Sequence, residues 1–316
     1  MTALASPPAP STSPRPAPTF LPIAATAVTI VLWASAFVGI RSAGHDYSAG
    51  PLALGRLLAG SVVLTVAVLI SGRLRARRPD RQTLLWALVW GVAWFGLYNV
   101  ALNLAEQRLD AGTAALLVNL APVLVAVLAG LLLGEGFPAR LMIGMAVAFS
   151  GVTIIAVTTS TGRGDLLGVV LGVASAVLYA LSATGQKRLL ARIDALTLTW
   201  IGCLTGTVVT LPFAPTLISQ AAEAPASATL SMIYLGVFPT AVAFLTWGYA
   251  LSRTSVGRLA ASTYVVPPLV VLLSWTLLGE VPGLLALAGG VLCLSGVGIA
   301  TLRRSAPTPQ RQVSNS

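Results

Sequence analysis

Arg56 is the one cation that falls inside an apolar run of the sequence rather than beside one. It stands five residues into its run, about 7.5 Å along a helix rising ~1.5 Å per residue. A guanidinium there has two uses. It can reach back to the helix end and lie in the interface, or it can face a wet cavity and hold a substrate carboxylate or phosphate. Aromatic side chains form the second group. Trp86, Trp90, Trp94 and Tyr98 recur every fourth residue, which makes one slowly turning stripe on a helix. Trp86 suits an interfacial anchor. Trp94, near the middle of its run, either packs between helices or walls a site for cations and for aromatic or aliphatic groups. Asn99 and Asn103 follow on the same run, and Asn119 sits one turn before Pro122. Amides in hydrocarbon need partners on another helix or a wet cavity. Trp33, Tyr179, Tyr264 and Ser274 complete the candidate substrate-binding set, while Trp247 reads as an anchor near the end of its run.

Other chemistries find no support. All nine acids lie outside the apolar runs or at their very ends, which argues against a proton relay through an intramembrane carboxylate. Glu135 and Glu280, closing two matching runs, read first as helix-end caps. His45 is the only histidine, and one histidine builds no metal site. Cys203 and Cys293 sit inside apolar runs as small packing residues. An enzyme embedded in the membrane would need a nucleophile–base pair or a metal cluster within the runs, and none is visible. No cofactor is implied, and the oligomeric state stays open.

These residues must be positioned by membrane helices. The 316 residues are 56% hydrophobic and 9% charged, with mean hydropathy +0.88, against about 25% charged in soluble domains. The net charge of +10 does not point to nucleic acid, because the cations cluster in short connections between apolar runs. Ten candidate spans follow from the ~20-residue requirement: 20–40, 51–71, 82–104, 111–133, 139–158, 166–186, 195–213, 228–250, 258–278 and 283–302. Residues 1–19 and 303–316 read as disordered tails. The segment Ala214–Ser227, with Pro215 and Pro225, reads as the longest connection. With both termini in the cytoplasm, 15 Lys and Arg fall on that side against 3 outside, so the cation bias selects this topology.

The chain is also written twice. Pro122 matches Pro267, Gly134-Glu135 matches Gly279-Glu280, and Ser150-Gly151-Val152 matches Ser295-Gly296-Val297, all 145 residues apart. Trp33 faces Tyr179 at an offset of 146. Five spans per copy forces opposite insertion, so the expected fold is an all-α integral membrane protein with ten transmembrane helices as an inverted 5+5 repeat, 20–158 and 166–302. Pro122, Pro239, Pro267 and Pro268 are expected near helix centres, as static kinks or as pivots.

Trp33-Ala-Ser-Ala-Phe37 ending the first span, Arg56 early in the second, and the paired Ala/Leu-rich spans with Pro122 and Pro267 closing in Gly-Glu resemble the drug/metabolite transporter superfamily, EamA type. The resemblance covers residues 20–302; Trp33-Ala stands where the family often has Trp-Gly. It implies a metabolite exporter of the bacterial inner membrane, for amino acids or related solutes. It further implies a central cavity between the halves, flanked by the first, third, fourth, sixth, eighth and ninth spans, and alternating access. The expected partners are the lipid bilayer and a small-molecule substrate. The alternatives are a multidrug or organic-cation exporter, a passive channel and a membrane-embedded enzyme.

Overall fold

Long runs of Ala, Leu, Val and Gly leave the backbone no polar partner in lipid but itself, so the chain folds into helices. The computed structural model describes residues 20–72, 79–133, 139–161 and 166–301; both tails and the Gly134-Glu135 pair lie outside the described residues. The helices are α1 (Phe20–Ala43), α2 (Ala49–Ile70), α3 (Arg81–Gly91), α4 (Tyr98–Glu106), α5 (Ala111–Val118), α6 (Ala121–Leu133), α7 (Ala139–Thr161) and α8 (Leu166–Leu189). They continue as α9 (Ala195–Thr210), α10 (Ala214–Glu223), α11 (Ala226–Leu235), α12 (Ala243–Arg253), α13 (Val256–Ser262), α14 (Val266–Leu278) and α15 (Leu284–Thr301). Among the described residues there is no strand.

Among the described residues, six stretches are long and apolar enough to cross a membrane: Phe20–Ala43, Ala49–Ile70, Arg81–Glu106, Leu166–Leu189, Ala195–Glu223 and Ala226–Arg253. Shorter apolar helices cover Ala111–Val125, Met142–Ile154, Thr263–Leu278 and Leu284–Gly296. The described residues are all-helical, and the chain is a multi-pass membrane protein.

Backbone irregularities recur with the repeat. A π-helical turn, Val92–Leu97, joins α3 to α4, and another, Gly236–Val242, joins α11 to α12. The chain breaks between α5 and α6 at Asn119–Leu120, and between α13 and α14 in a 3-10 turn, Thr263–Val265. These breaks correct the expectation for three prolines. Pro122 lies in the first turn of α6, and Pro267 and Pro268 in the first turn of α14. There a missing N–H costs no helix bond, so these prolines start helices rather than kink them. Pro239 alone among the four sits inside a helix, within the second π turn. Residues 214–227 also differ from expectation. Pro215 opens α10 by the same first-turn logic.

The packing couples the two halves in matching pairs. α1 lies on α11, α12 and α14, while its counterpart α8 lies on α4 and α6; α2 pairs with α9, and α7 with α15. Close backbone approach sets the last pair. A Cβ on Gly151 would lie 2.4 Å from the Gly289 carbonyl oxygen, and one on Gly296 would lie 2.4 Å from the Ala148 nitrogen. Small residues let helices meet in lipid, where hydrophobic drive between them is weak.

The acids outside the spans mark helix ends. Asp80, Asp110 and Asp194 accept from the backbone N–H of Thr83, Thr113 and Thr197 as N-caps. The Thr83 hydroxyl also donates to Asp80 and holds its carboxyl below the ordinary carboxylate value. In the Leu-Leu-Gly-Glu motif of the second half, Gly279 adopts φ 68°. Its N–H bonds the Trp275 carbonyl, the 5→1 bond of a left-handed helix cap, and the Glu280 N–H bonds the Ser274 carbonyl; only glycine enters that conformation without strain.

Candidate functional site

The second π turn builds the polar end of the site. A π turn shifts carbonyls out of the α-helical register, and Thr240 donates its hydroxyl to one of them, Leu235 O, at 2.8 Å. With its proton so committed, Thr240 Oγ1 accepts from Arg56 Nε at 3.3 Å and Nη2 at 3.1 Å. α2 runs so close to this turn that a Cβ on Gly236 would lie 2.2 Å from the Arg56 carbonyl oxygen. Arg56 is 4% exposed and its Nη1 has no hydrogen-bond partner. The guanidinium is fixed on one edge and unengaged at the remaining nitrogen.

An amide follows the first π turn, early in α4. Asn99 donates through Nδ2 to its own helix, to Trp94 O at 3.2 Å and Phe95 O at 2.9 Å. Asn119, at the α5–α6 break, donates to Ala115 O at 3.1 Å, and its buried Oδ1 has no partner.

Aromatic rings form the other side. Trp33 on α1 lies 5.9 Å from Tyr179 on α8, 5.5 Å from Phe244 and 4.9 Å from Trp247 on α12. Trp94 is fully buried, 5.5 Å from Tyr179 and 5.1 Å from Phe244. Most of these pairs are edge-to-face, the arrangement ring quadrupoles favour. Trp94 therefore packs and walls a cavity at once.

Trp33, Arg56, Trp94, Tyr98, Asn99, Asn119 and Tyr179 surround one cavity of about 50 Å³. Tyr264 and Ser274 are not among its lining residues. Thr263, one residue before Tyr264 in the 3-10 turn, lines it instead. Ser274 is buried on α14, its hydroxyl without a partner. The Arg56 guanidinium is buried and held by Thr240 rather than free at the end of α2.

Sequence reasoning missed Thr240 and Phe244, which follow Pro239 in the second half, and misplaced Trp247. Trp247 is 1% exposed and donates Nε1 to Gln186 Oε1 at 3.0 Å, so it is a core residue and not an anchor. Gln186, the polar residue that closes the apolar run 166–186, was the signal for that partnership. Trp86, at 59% exposure, keeps a position suited to an anchor.

The cavity combines one cation, two amides and an aromatic wall. Among the described residues, Arg56 is the only charged one lining it. That set can hold a carboxylate at the guanidinium and an apolar group against the rings.

Comparison with known proteins identifies the chain. The EamA-like transporter family matches residues 21–157 and 166–302. The chain is 39% identical over 293 residues to a probable terminal-alkyne amino-acid exporter of Streptantibioticus cattleyicolor, covering 91% of this chain and 97% of that protein. It is 23% identical over 280 residues to a probable amino-acid metabolite efflux pump of Escherichia coli, covering 85% and 91%. A crystal structure of 21% identity shares the fold at a TM-score of 0.60, covering 89% of this chain and 96% of that one. Two matched domains spanning nearly all the described residues place the chain in the EamA-like transporter family, within the drug/metabolite transporter superfamily.

Proposed function

We propose that the protein exports amino acids with apolar side chains, and that Arg56 binds their α-carboxylate. The observation that carries this reading is the buried Arg56 with an unengaged Nη1, set in a cavity walled by Trp33, Trp94, Tyr179 and Phe244. The relatives named as amino-acid exporters agree with it. An extended apolar side chain, a terminal alkyne included, lies against ring faces. An organic cation fits less well, because the only lining charge among the described residues is positive.

A cavity of about 50 Å³ holds a few waters but not an amino acid. Loading therefore requires the two halves to part, and alternating access is the proposed cycle. Ten crossings as an inverted 5+5 repeat, an inner-membrane location and cytoplasmic termini complete the proposal. The matched helix pairs and the cation bias support it. Pro239, inside its π turn, and the breaks before Pro122 and Pro267 are the proposed flexing points.

The test is uptake into inside-out vesicles from cells making the protein, with labelled propargylglycine, norvaline, adenine, glucose and tetraphenylphosphonium. The proposal expects uptake of the two amino acids. Uptake of tetraphenylphosphonium alone would replace it with the organic-cation reading.

A further inference from the structure

The nine acids lie outside the apolar runs or at their ends, yet one is not in water. Glu106, the last residue of α4, is 1% exposed, and neither carboxylate oxygen has a hydrogen-bond partner. It is among the residues lining a second, polar pocket of about 350 Å³, which Arg41, His45, Asp46, Gln107 and Gln220 also line. That pocket sits at the α1–α2 connection, apart from the central cavity.

Arg41 passes Glu106 without pairing with its side chain. Its Nε binds Glu280 Oε1 at 2.9 Å, and its Nη1 donates to the Glu106 backbone carbonyl at 3.1 Å. The remaining charges that act on Glu106 are Arg56 from α2, Asp110 capping α5, and Glu280 after α14. Tyr98 lies two turns earlier on α4, and α8 carries Lys187 and Arg188 only in its last turn, at its opposite end. An ionised carboxylate without hydrogen bonds is costly to bury, and protonation removes that cost. The polar pocket supplies a route for the proton. Arg56, which lines the central cavity, supplies the link to substrate.

We propose that Glu106 is a proton-binding site whose ionisation competes with a substrate carboxylate for Arg56. Ionised Glu106 is a counter-charge to Arg56. When a proton from the pocket side binds a Glu106 oxygen, Arg56 loses that counter-charge and binds a carboxylate more tightly. By linkage, carboxylate binding favours proton uptake at Glu106. The substrate half of this inference rests on the proposed amino-acid function; the proton half does not.

The test begins without substrate. Infrared spectra of the full chain in lipid nanodiscs are recorded from acid to alkaline pH. A protonated-carboxyl band that fades with rising pH and is missing from Glu106→Gln is expected, with Glu106→Asp showing a displaced band. In Arg56→Gln the band should persist to more alkaline pH, because the stabilising cation is gone. No pH-dependent band in the difference between wild type and either Glu106 variant overturns the proton site. An unmoved titration in Arg56→Gln overturns the link. Norvaline binding should then weaken by about tenfold per pH unit across the titration and lose that slope in Glu106→Gln. Tight norvaline binding without the slope overturns the competition. Absence of norvaline binding at any pH counts against the amino-acid function, while the infrared result decides the proton site by itself.

Discussion

Arg56→Gln separates a carboxylate-binding arginine from a packing one. Glutamine keeps a donor for Thr240 Oγ1 but removes the charge and the unengaged Nη1. A hydrogen bond to a charged group contributes about 1.5–3 kcal/mol net, and each ~1.4 kcal/mol is tenfold in affinity. Norvaline should therefore bind about ten- to a hundredfold more weakly. Its decarboxylated counterpart, n-butylamine, lacks the group that Arg56 holds and is repelled by the guanidinium, so its binding should hold or improve. Arg56→Lys should fall between, because lysine keeps the charge without the planar fork. Binding can be followed through the fluorescence of Trp33 and Trp94, which line the cavity, with thermal melts to show that the variant is folded. Equal weakening of norvaline and n-butylamine in a folded variant would refute the assignment, as would unchanged norvaline affinity.

Trp247→Ala should cost about 3–5 kcal/mol as a large buried truncation, whereas Trp86→Ala, at an exposed position, should leave the melting temperature near wild type. Gly296→Ala drives a methyl into the α7 backbone and should lower the melting temperature; Gly185→Ala, with nothing within 4 Å of its added carbon, should not. Pro122→Ala and Pro267→Ala free a backbone N–H beside the two helix breaks, and each should reduce transport more than it reduces yield in the membrane. Parallel loss of transport and yield would leave these prolines a static role.

Much of the site could be read before the structure because membrane helices tie position to periodicity. Arg56 was legible as a charge where lipid tolerates none, and Trp90, Trp94 and Tyr98 as one stripe. The choice between packing and lining for Trp94 was not legible, since a single ring does both here. The prolines misled because an apolar run carries no mark of where one helix stops and another starts. The clue lies in the backbone, at Asn119–Leu120 and Thr263–Val265. The π turns were invisible as well. Pro239 signals the second, but Val92–Leu97 has no proline and makes the same turn. Thr240 was missed because its role depends on that turn freeing a carbonyl for its hydroxyl. Trp247 was misplaced because depth was counted from the helix end, and its partner Gln186 stands on another helix.

The central claim is tested most directly by counterflow. Proteoliposomes preloaded with unlabelled norvaline are diluted into a trace of the labelled compound. The account predicts transient accumulation of label above its equilibrium level, abolished when n-butylamine replaces norvaline inside and strongly reduced in Arg56→Gln. Label that equilibrates at the same rate with or without internal norvaline would contradict a carrier and favour a channel.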